Sequence, residues 1–215
     1  MSYFAEYKED VKSFLDHDPA ASSPLEVILL YPGFKALRKH KKASWFYNHN
    51  MKFIARAISQ RSAHKTGIEI HPGATIGKRV CIDHGHGIVI GETTEIGDDC
   101  IIYQGVTLGG TGKDTGKRHP TIKNGVMIGA GAKVLGPITI GNNVKVAAGA
   151  VVVKDVEANC TVVGVPGSVV KIDGERIDDL DQIHLPDPVM NAIKSNAILI
   201  EDLNKRLEKL EENKS

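Results

Sequence analysis

The sequence predicts an α+β chain with an N-terminal helical segment, a parallel β-helix built from hexapeptides, and a C-terminal helix. Three observations point there. Aliphatic residues recur every six positions, first at Ile70, Ile76, Ile82 and Ile88, then at Ile90, Ile96, Ile102 and Leu108, then at Ile122, Ile128, Val134, Ile140, Val146 and Val152. None of these positions is polar, and Gly directly follows Ile76, Ile90, Ile96, Leu108, Ile128 and Ile140. Outside that stretch the apolar spacing becomes helical. A six-residue unit is one short strand plus a turn, and stacked units share a continuous core. The aliphatic side chain points inward, and the small residue beside it lets the chain turn the corner.

Residues 1–66 form the helical region. Tyr3 to Leu15 is amphipathic, and Ser23-Pro24 has the form of an N-cap followed by Pro at the first helical position. Stretches 34–48 and 51–64 keep apolar residues at helical spacing, with Phe53 and Ala57, and Ile54 and Ile58, four apart, ending before Gly67. Residues 67–170 make the solenoid, closed by Val163-Gly164-Val165-Pro166-Gly167. The tail, 171–215, carries a helix expected over 187–213. There Ile193, Ile200 and Leu207 alternate with Asn196, Leu203 and Leu210 as a heptad seam flanked by Glu and Lys. A helix this short is marginal alone in water. The seam predicts bundling between copies, the alternative being a helix packed on its own solenoid.

A solenoid interior is filled by side chains, so chemistry belongs on its outer faces, in its loops or between chains. Breaks in the period therefore matter. The frame slips by two residues between Ile88 and Ile90, just after Asp83-His84-Gly85-His86-Gly87. Between Leu108 and Ile122 it spans fourteen residues, across a stretch at 109–121 with four glycines, three Lys or Arg and the pair His119-Pro120. That composition describes a mobile loop.

A net charge of +1 over 215 residues excludes bulk electrostatic attraction to nucleic acid or membrane. The basic run Arg38 to Lys42 reads as a solvated helix face, since no aromatic interleaving accompanies it. The N-terminus has no signal-peptide pattern and no apolar run approaches ~18 residues, which places the chain in the cytoplasm. The 22 glycines exceed the usual ~7 % and concentrate in the solenoid. Cys81, Cys100 and Cys160 follow no metal or redox spacing and read as buried fillers.

The runs GIEIHPGATIGKRVCIDHGHGIVIGE, YQGVTLGGTGKDTGKRHPTI and VMIGAGAKVLG, with LDHDPAA at 15–21, resemble the serine O-acetyltransferases of the hexapeptide acyltransferase family. The resemblance runs from LDHDPAA to GVPG at 164–167. It implies a left-handed parallel β-helix, a homotrimer, and direct transfer of acetyl from acetyl-CoA to the hydroxyl of L-serine, the first step of cysteine biosynthesis. His84 takes the general-base position, a role suited to neutral imidazole because a hydroxyl attacking a thioester must lose its proton as the bond forms. Glu69 stands where the family usually has Asp, orienting that ring. Serine is a zwitterion, and the resemblance assigns its carboxylate to Arg118 and His119 and its ammonium group to Asp83 and Asp18. Gly110, Thr111, Ala130 and Ala148 match acetyl-CoA contacts, with Lys113, Lys117 and Lys145 as phosphate candidates. The 109–121 loop would close over both substrates, and L-cysteine would inhibit from the serine site.

Alternatives stay open at this point. Homoserine and sugar acetyltransferases share the β-helix. A zinc site of the carbonic anhydrase kind could use His84, His86 and His119, but RHP, LGGTGK and HDPAA have no role in it, and no metal is expected. His71, before Pro72, reads as a turn residue. A noncatalytic scaffold is a further alternative. O-acetylserine sulfhydrylase accepts a C-terminal isoleucine from such enzymes, and this sequence ends Glu-Glu-Asn-Lys-Ser, so weak or no binding is expected. Only about fifteen residues precede HDPAA, which favours a trimer over a hexamer.

Overall fold

The computed structural model describes residues 3–112, 115–170, 196–200, 203 and 206. Four helices come first, α1 (Tyr3–His17), α2 (Pro24–Leu30), α3 (Pro32–Asn48) and α4 (Lys52–Thr66). The Ser23 hydroxyl accepts the Glu26 N–H at 3.3 Å with Pro24 in the first turn, as the sequence predicts. Helix α4 stops at Gly67, whose φ of 71° is the left-handed conformation that ends helices.

Among the described residues fifteen short strands follow. β1 (Ile68–Ile70), β4 (Ile88–Ile90), β7 (Thr107–Gly109), β10 (Lys133–Leu135) and β13 (Val151–Val152) form one parallel sheet in that order. β2 (Thr75–Ile76), β5 (Glu95–Ile96), β8 (Thr121–Ile122) and β11 (Thr139–Ile140) form a second. β3 (Cys81–Ile82), β6 (Ile101–Ile102), β9 (Met127–Ile128), β12 (Lys145–Val146) and β14 (Thr161–Val163) form a third, which ends in antiparallel β15 (Ser168–Val170). The chain visits the three sheets in rotation. A regular circuit is three hexapeptides, so Ile90 lies beside Leu108 and Val134 beside Val152. The result is a triangular parallel β-helix, consistent with the left-handed form.

Thirteen of the fourteen repeat positions are buried, and Ile76 is partly buried. The frame slip lies elsewhere than expected. β4 turns both Ile88 and Ile90 inward, in register with Ile68 and Ile70 of β1, so the two extra residues sit in the 83–87 corner before the strand. Strand side chains alternate, and an insertion inside β4 would turn its inward face out. A corner absorbs it without that penalty.

The corner between the second and third sheets is tied by side chains that repeat from coil to coil. Asp98 Oδ1 accepts the Lys78 N–H at 2.8 Å, Asn124 Oδ1 the Asp98 N–H at 2.9 Å, and Asn142 Oδ1 the Asn124 N–H at 3.1 Å. The helices cap the first coil. Phe14 meets Tyr31 and Phe34 edge-on at 6.1 and 5.8 Å between centroids, and Tyr7 meets Phe34 at 5.4 Å. Gly33 presses against β3 so closely that a Cβ there would stand 2.0 Å from the Ile82 carbonyl oxygen.

All three cysteines are free and buried, as expected of fillers. Among the described residues no helix is long and apolar enough to cross a membrane. Residues 196–200, 203 and 206 are helical, with Ile198, Leu199, Ile200 and Leu203 exposed. The remainder of the predicted 187–213 helix lies outside the described residues, as do Lys113 and Asp114.

Candidate active site

The corner between the third and first sheets holds the extra residues at 83–87. His84 takes a left-handed φ of 55°, flanked by Gly85 and Gly87, also at positive φ. This turns its side chain outward, 74% exposed, with Nε2 4.0 Å from Asp83 Oδ1. Burial pushes the Asp83 carboxyl up; His84 pulls it down, and Asp18 pushes it up again. Asp18 comes from outside the solenoid. It follows α1 and accepts hydrogen bonds from the Ala20 N–H at 2.8 Å and the Tyr31 hydroxyl at 2.6 Å. Burial and that bond hold the Tyr31 phenol up, so it stays a donor. The aromatic contact of Phe14 with Tyr31 thus carries Asp18 to the corner of Asp83 and His84, where two carboxylates suit an ammonium group.

Along this corner runs a strip of bare backbone. Gly87, Gly105, Gly131 and Gly149 follow one another through successive coils with φ of 77°, 70°, 71° and 70°. Each is tied to the coil before it: the Gly87 N–H donates to Gly67 O at 2.9 Å, and the N–H groups of Gly105, Gly131 and Gly149 donate to His86 O, Gln104 O and Ala130 O, each at 2.8 Å. A Cβ built on Gly131 or Gly149 would meet nothing within 4 Å. Ala130 and Ala148 flank these glycines. The surface admits a long amide-bearing chain against the backbone.

The corner between the first and second sheets holds Arg118 and His119. His119 is 9% exposed. Its ring lies on Gly91, where a Cβ would stand 2.0 Å from Cδ2, so that contact requires glycine. Thr93 seats the pair. Its hydroxyl oxygen accepts the Arg118 N–H at 3.1 Å and the His119 N–H at 3.2 Å, and lies 2.9 Å from His119 Nδ1. The Thr93 N–H also points at Nδ1, at 3.2 Å. That nitrogen is therefore an acceptor, which assigns the ring proton to Nε2. Burial lowers the His119 pKa and the Arg118 cation lowers it further, which keeps the ring neutral and an Nε2–H donor at pH 7.

Glu92 holds Arg118 from the other side. One carboxylate oxygen pairs with Arg118 Nη2 and the other accepts the Tyr47 hydroxyl at 2.8 Å; these two bonds hold the Glu92 carboxyl low. Lys117 donates to Thr93 O at 2.7 Å and pairs with Glu95 at 2.9 Å, so it braces the loop. His71 accepts the Gly73 N–H at 3.0 Å, the turn role expected of it, and lies edge-on to Tyr47. Gly110 faces the same ring, since a Cβ there would stand 3.6 Å from His119 Nε2, and Thr111 covers Gly136 after β10.

The predicted residues therefore form two groups. Asp18, Asp83, His84, Ala130 and Ala148 share one corner, and Arg118, His119, Gly110 and Thr111 another. Glu69 lies on β1 between the corners, and no hydrogen bond joins it to His84 among the described residues. His119 is on a different corner from His84 and His86, and among the described residues no group of three or more His, Cys, Asp or Glu could hold a metal. Tyr31, Tyr47, Glu92 and Thr93 have no role in the sequence reading. Glu92 and Thr93 directly follow Ile90-Gly91, but nothing in the period says which side chains meet across coils.

This geometry has close counterparts. The family model for the bacterial transferase hexapeptide, six repeats, matches residues 119–154. A serine acetyltransferase of Bacillus subtilis is 53% identical over 207 residues, covering 96% of this chain and 95% of that protein. The chain belongs to the serine acetyltransferase family. Solved members include the Neisseria gonorrhoeae serine acetyltransferase in complex with serine, at TM-score 0.75 and 41% identity, covering 78% of this chain and 68% of that one. The Brucella abortus serine acetyltransferase in complex with coenzyme A matches at TM-score 0.78 and 42% identity, covering 80% and 69%. A serine acetyltransferase in complex with cysteine matches at TM-score 0.76 and 40% identity, covering 78% and 69%.

Proposed function

We propose that this chain transfers acetyl from acetyl-CoA to the hydroxyl of L-serine, giving O-acetyl-L-serine and CoA in the first step of cysteine biosynthesis. The observation that carries this is the division of polar groups between corners. An outward histidine with two carboxylates stands at one corner, and an arginine with an Nε2–H imidazole at the next. The three residues of β4 separate them by about 10 Å of strand, more than a free amino acid spans. The two half-sites meet on one serine when the His84 corner of one copy faces the His119 corner of another. We read the working form as a homotrimer, with a site between each pair of copies.

In that site Arg118 and His119 hold the serine carboxylate, and Asp83 and Asp18 its ammonium group. His84 takes the hydroxyl proton as the serine oxygen bonds to the thioester carbonyl carbon. Glu69 is assigned to orient the ring. The tetrahedral intermediate collapses with cleavage of the C–S bond, and the imidazolium returns its proton to the departing thiolate. The pantetheine arm runs along the glycine strip past Ala130 and Ala148, with Gly110 and Thr111 closing from the loop. Transfer is direct: the cysteines are buried, and burial pushes the Cys100 thiol up to about 11 and raises that of Cys81. L-Cysteine, which has the same zwitterion, would compete for the serine half-site. The cytoplasm is the compartment expected for this chemistry.

The test is a thiol-release assay with acetyl-CoA against L-serine, homoserine and galactosides, with light scattering on the same sample. Serine-specific CoA release from a three-chain particle is expected. Release with homoserine or a sugar in preference to serine would overturn the acceptor assignment, and a fully active monomer would overturn the shared site.

A further inference from the structure

The helical hairpin α3–α4 has a charge pattern that serine acetylation does not use. No Asp or Glu occurs between Glu26 and Glu69, while α3 carries Lys35, Arg38, Lys39, Lys41 and Lys42, and α4 carries Lys52, Arg56, Arg61 and Lys65. Several of these cations have partners. Lys41 pairs with Glu6 and Asp10, Arg38 approaches Asp10 at 3.9 Å and covers the Tyr7 ring, and Lys52 covers Tyr47. Four others converge elsewhere. Lys35, Lys39, Arg61 and Lys65 line a cleft of about 580 Å³ between the two helices, together with Ile58, Ser62 and Thr66. Among the described residues none of these four has an ion pair.

Ser62 makes this more than a solvated basic face. It lines the cleft, is only 8% exposed, and among the described residues its Oγ has no hydrogen-bond partner. The neighbouring Thr66 hydroxyl donates to Ser62 O at 2.8 Å, so the backbone there is satisfied while the Ser62 side chain is not. A buried hydroxyl without a partner is unfavourable, and this one belongs to a residue that lines the cleft.

We propose that this cleft binds a soluble, nucleotide-sized molecule bearing two or more phosphates. Lys35 and Lys39 are one helical turn apart on α3, as are Arg61 and Lys65 on α4, so cations repeat at about 6 Å along both walls. One phosphate meets one rung; the pattern calls for more than one. Like charges four apart on a helix repel, and a polyanion reverses that term. Ile58 and the lysine stems give an apolar floor for the non-phosphate part, and the volume lies within the ordinary range of small-molecule sites. The cleft is lined by helix residues alone, none of them assigned to acetyl transfer, and its Thr66 end adjoins Gly67, which bonds to Gly87 of the His84 corner.

The test uses the full chain at physiological salt, titrated calorimetrically with inorganic triphosphate, ATP and AMP, and separately with vesicles containing anionic phospholipid. Saturable binding of triphosphate and ATP is expected, with AMP at least tenfold weaker. Lys39→Ala with Arg61→Ala should weaken ATP at least tenfold and Ser62→Ala about threefold or more, with serine acetylation unchanged as the check on folding. Lys42→Ala, outside the cleft, should leave ATP binding unaltered. Absence of saturable binding at millimolar ATP would overturn the proposal. So would an equal loss with Lys42→Ala, or binding to vesicles only, since either would reduce the cleft to general surface charge.

Discussion

Thr93→Val removes one hydroxyl and preserves side-chain size, and the structure says what that hydroxyl does. It accepts two backbone N–H groups, from Arg118 and His119, and stands 2.9 Å from His119 Nδ1. The Thr93 N–H still faces Nδ1 in the variant, so the Nε2–H tautomer survives. What is lost is the seat of the two residues. Ordinary hydrogen bonds contribute about 0.5–1.5 kcal/mol each, and water can replace part of two at this half-buried place. A loss of about 2 kcal/mol follows, or roughly 30-fold in kcat/KM for serine. Because Arg118 and His119 are assigned to the serine carboxylate, KM for serine should rise more than kcat falls, and KM for acetyl-CoA should stay near its starting value. Thr93→Ser keeps the oxygen and should restore most of the loss. The assay is CoA release under serine and acetyl-CoA variation, with circular dichroism to verify folding. Thr93→Val within twofold of the parent enzyme, or Thr93→Ser equally damaged, would refute the seating role.

Three other outcomes follow from the same geometry. His84→Ala should lower kcat by about 10²–10⁴, the usual contribution of a general base, with acetyl-CoA binding retained by calorimetry; near-normal turnover would show the base to be another group. Gly91→Ala puts a methyl group 2.0 Å from the His119 ring, so it should displace the ring and raise KM for serine at least tenfold while the melting curve stays cooperative; unchanged kinetics would mean the ring has another resting place. His40 is 6% exposed, and burial holds its pKa at about 4 against the ordinary 6.5, despite a bond with the Ala74 backbone. Between those values only the unfolded chain takes the proton, so stability is full above pH 6.5 and falls as pH drops towards 4. About 2 kcal/mol is lost from this group between pH 7 and 5. Urea melts at fixed protein concentration should show His40→Gln losing less over that range by this amount, and equal losses in both proteins would count against a buried neutral His40.

Much of the scaffold was legible because a β-helix is nearly one-dimensional. Each inward position, from Ile70 to Val152, meets its own equivalent one coil away, so a local rhythm specifies a distant contact. The Ser23 cap and the Gly67 stop were legible for a related reason, since a cap is satisfied within one turn of its own helix. The frame slip was misplaced by a few residues. Ile88 and Ile90 both satisfy an inward position, and only pairing with Ile68 and Ile70 shows that both are used at once.

The site was legible in its residue types and not in its arrangement. Asp83, His84, Arg118 and His119 stand out as polar groups in an aliphatic rhythm, but which corner each occupies depends on how extra residues are absorbed. Thr93 and Glu92 were passed over because Arg118 and His119 lie 25 or 26 residues away across the loop, and Tyr47, the other partner of Glu92, lies 45 residues away in a helix. Tyr31 was passed over because its hydroxyl reaches Asp18 only after Phe14 and Phe34 have packed the helices together.

By itself the sequence determined the period, the order of helices and solenoid, and the presence of histidines, carboxylates and cations where the period breaks. These depend on spacing along the chain, which a string of residues contains in full. The tertiary structure alone decided that His84 and the pair Arg118 and His119 stand at different corners, that Thr93 selects the His119 tautomer, and that four cations and an unsatisfied Ser62 share one cleft. Each depends on side chains from separate coils or helices meeting at hydrogen-bond or van der Waals distance, and no one-dimensional pattern encodes that distance.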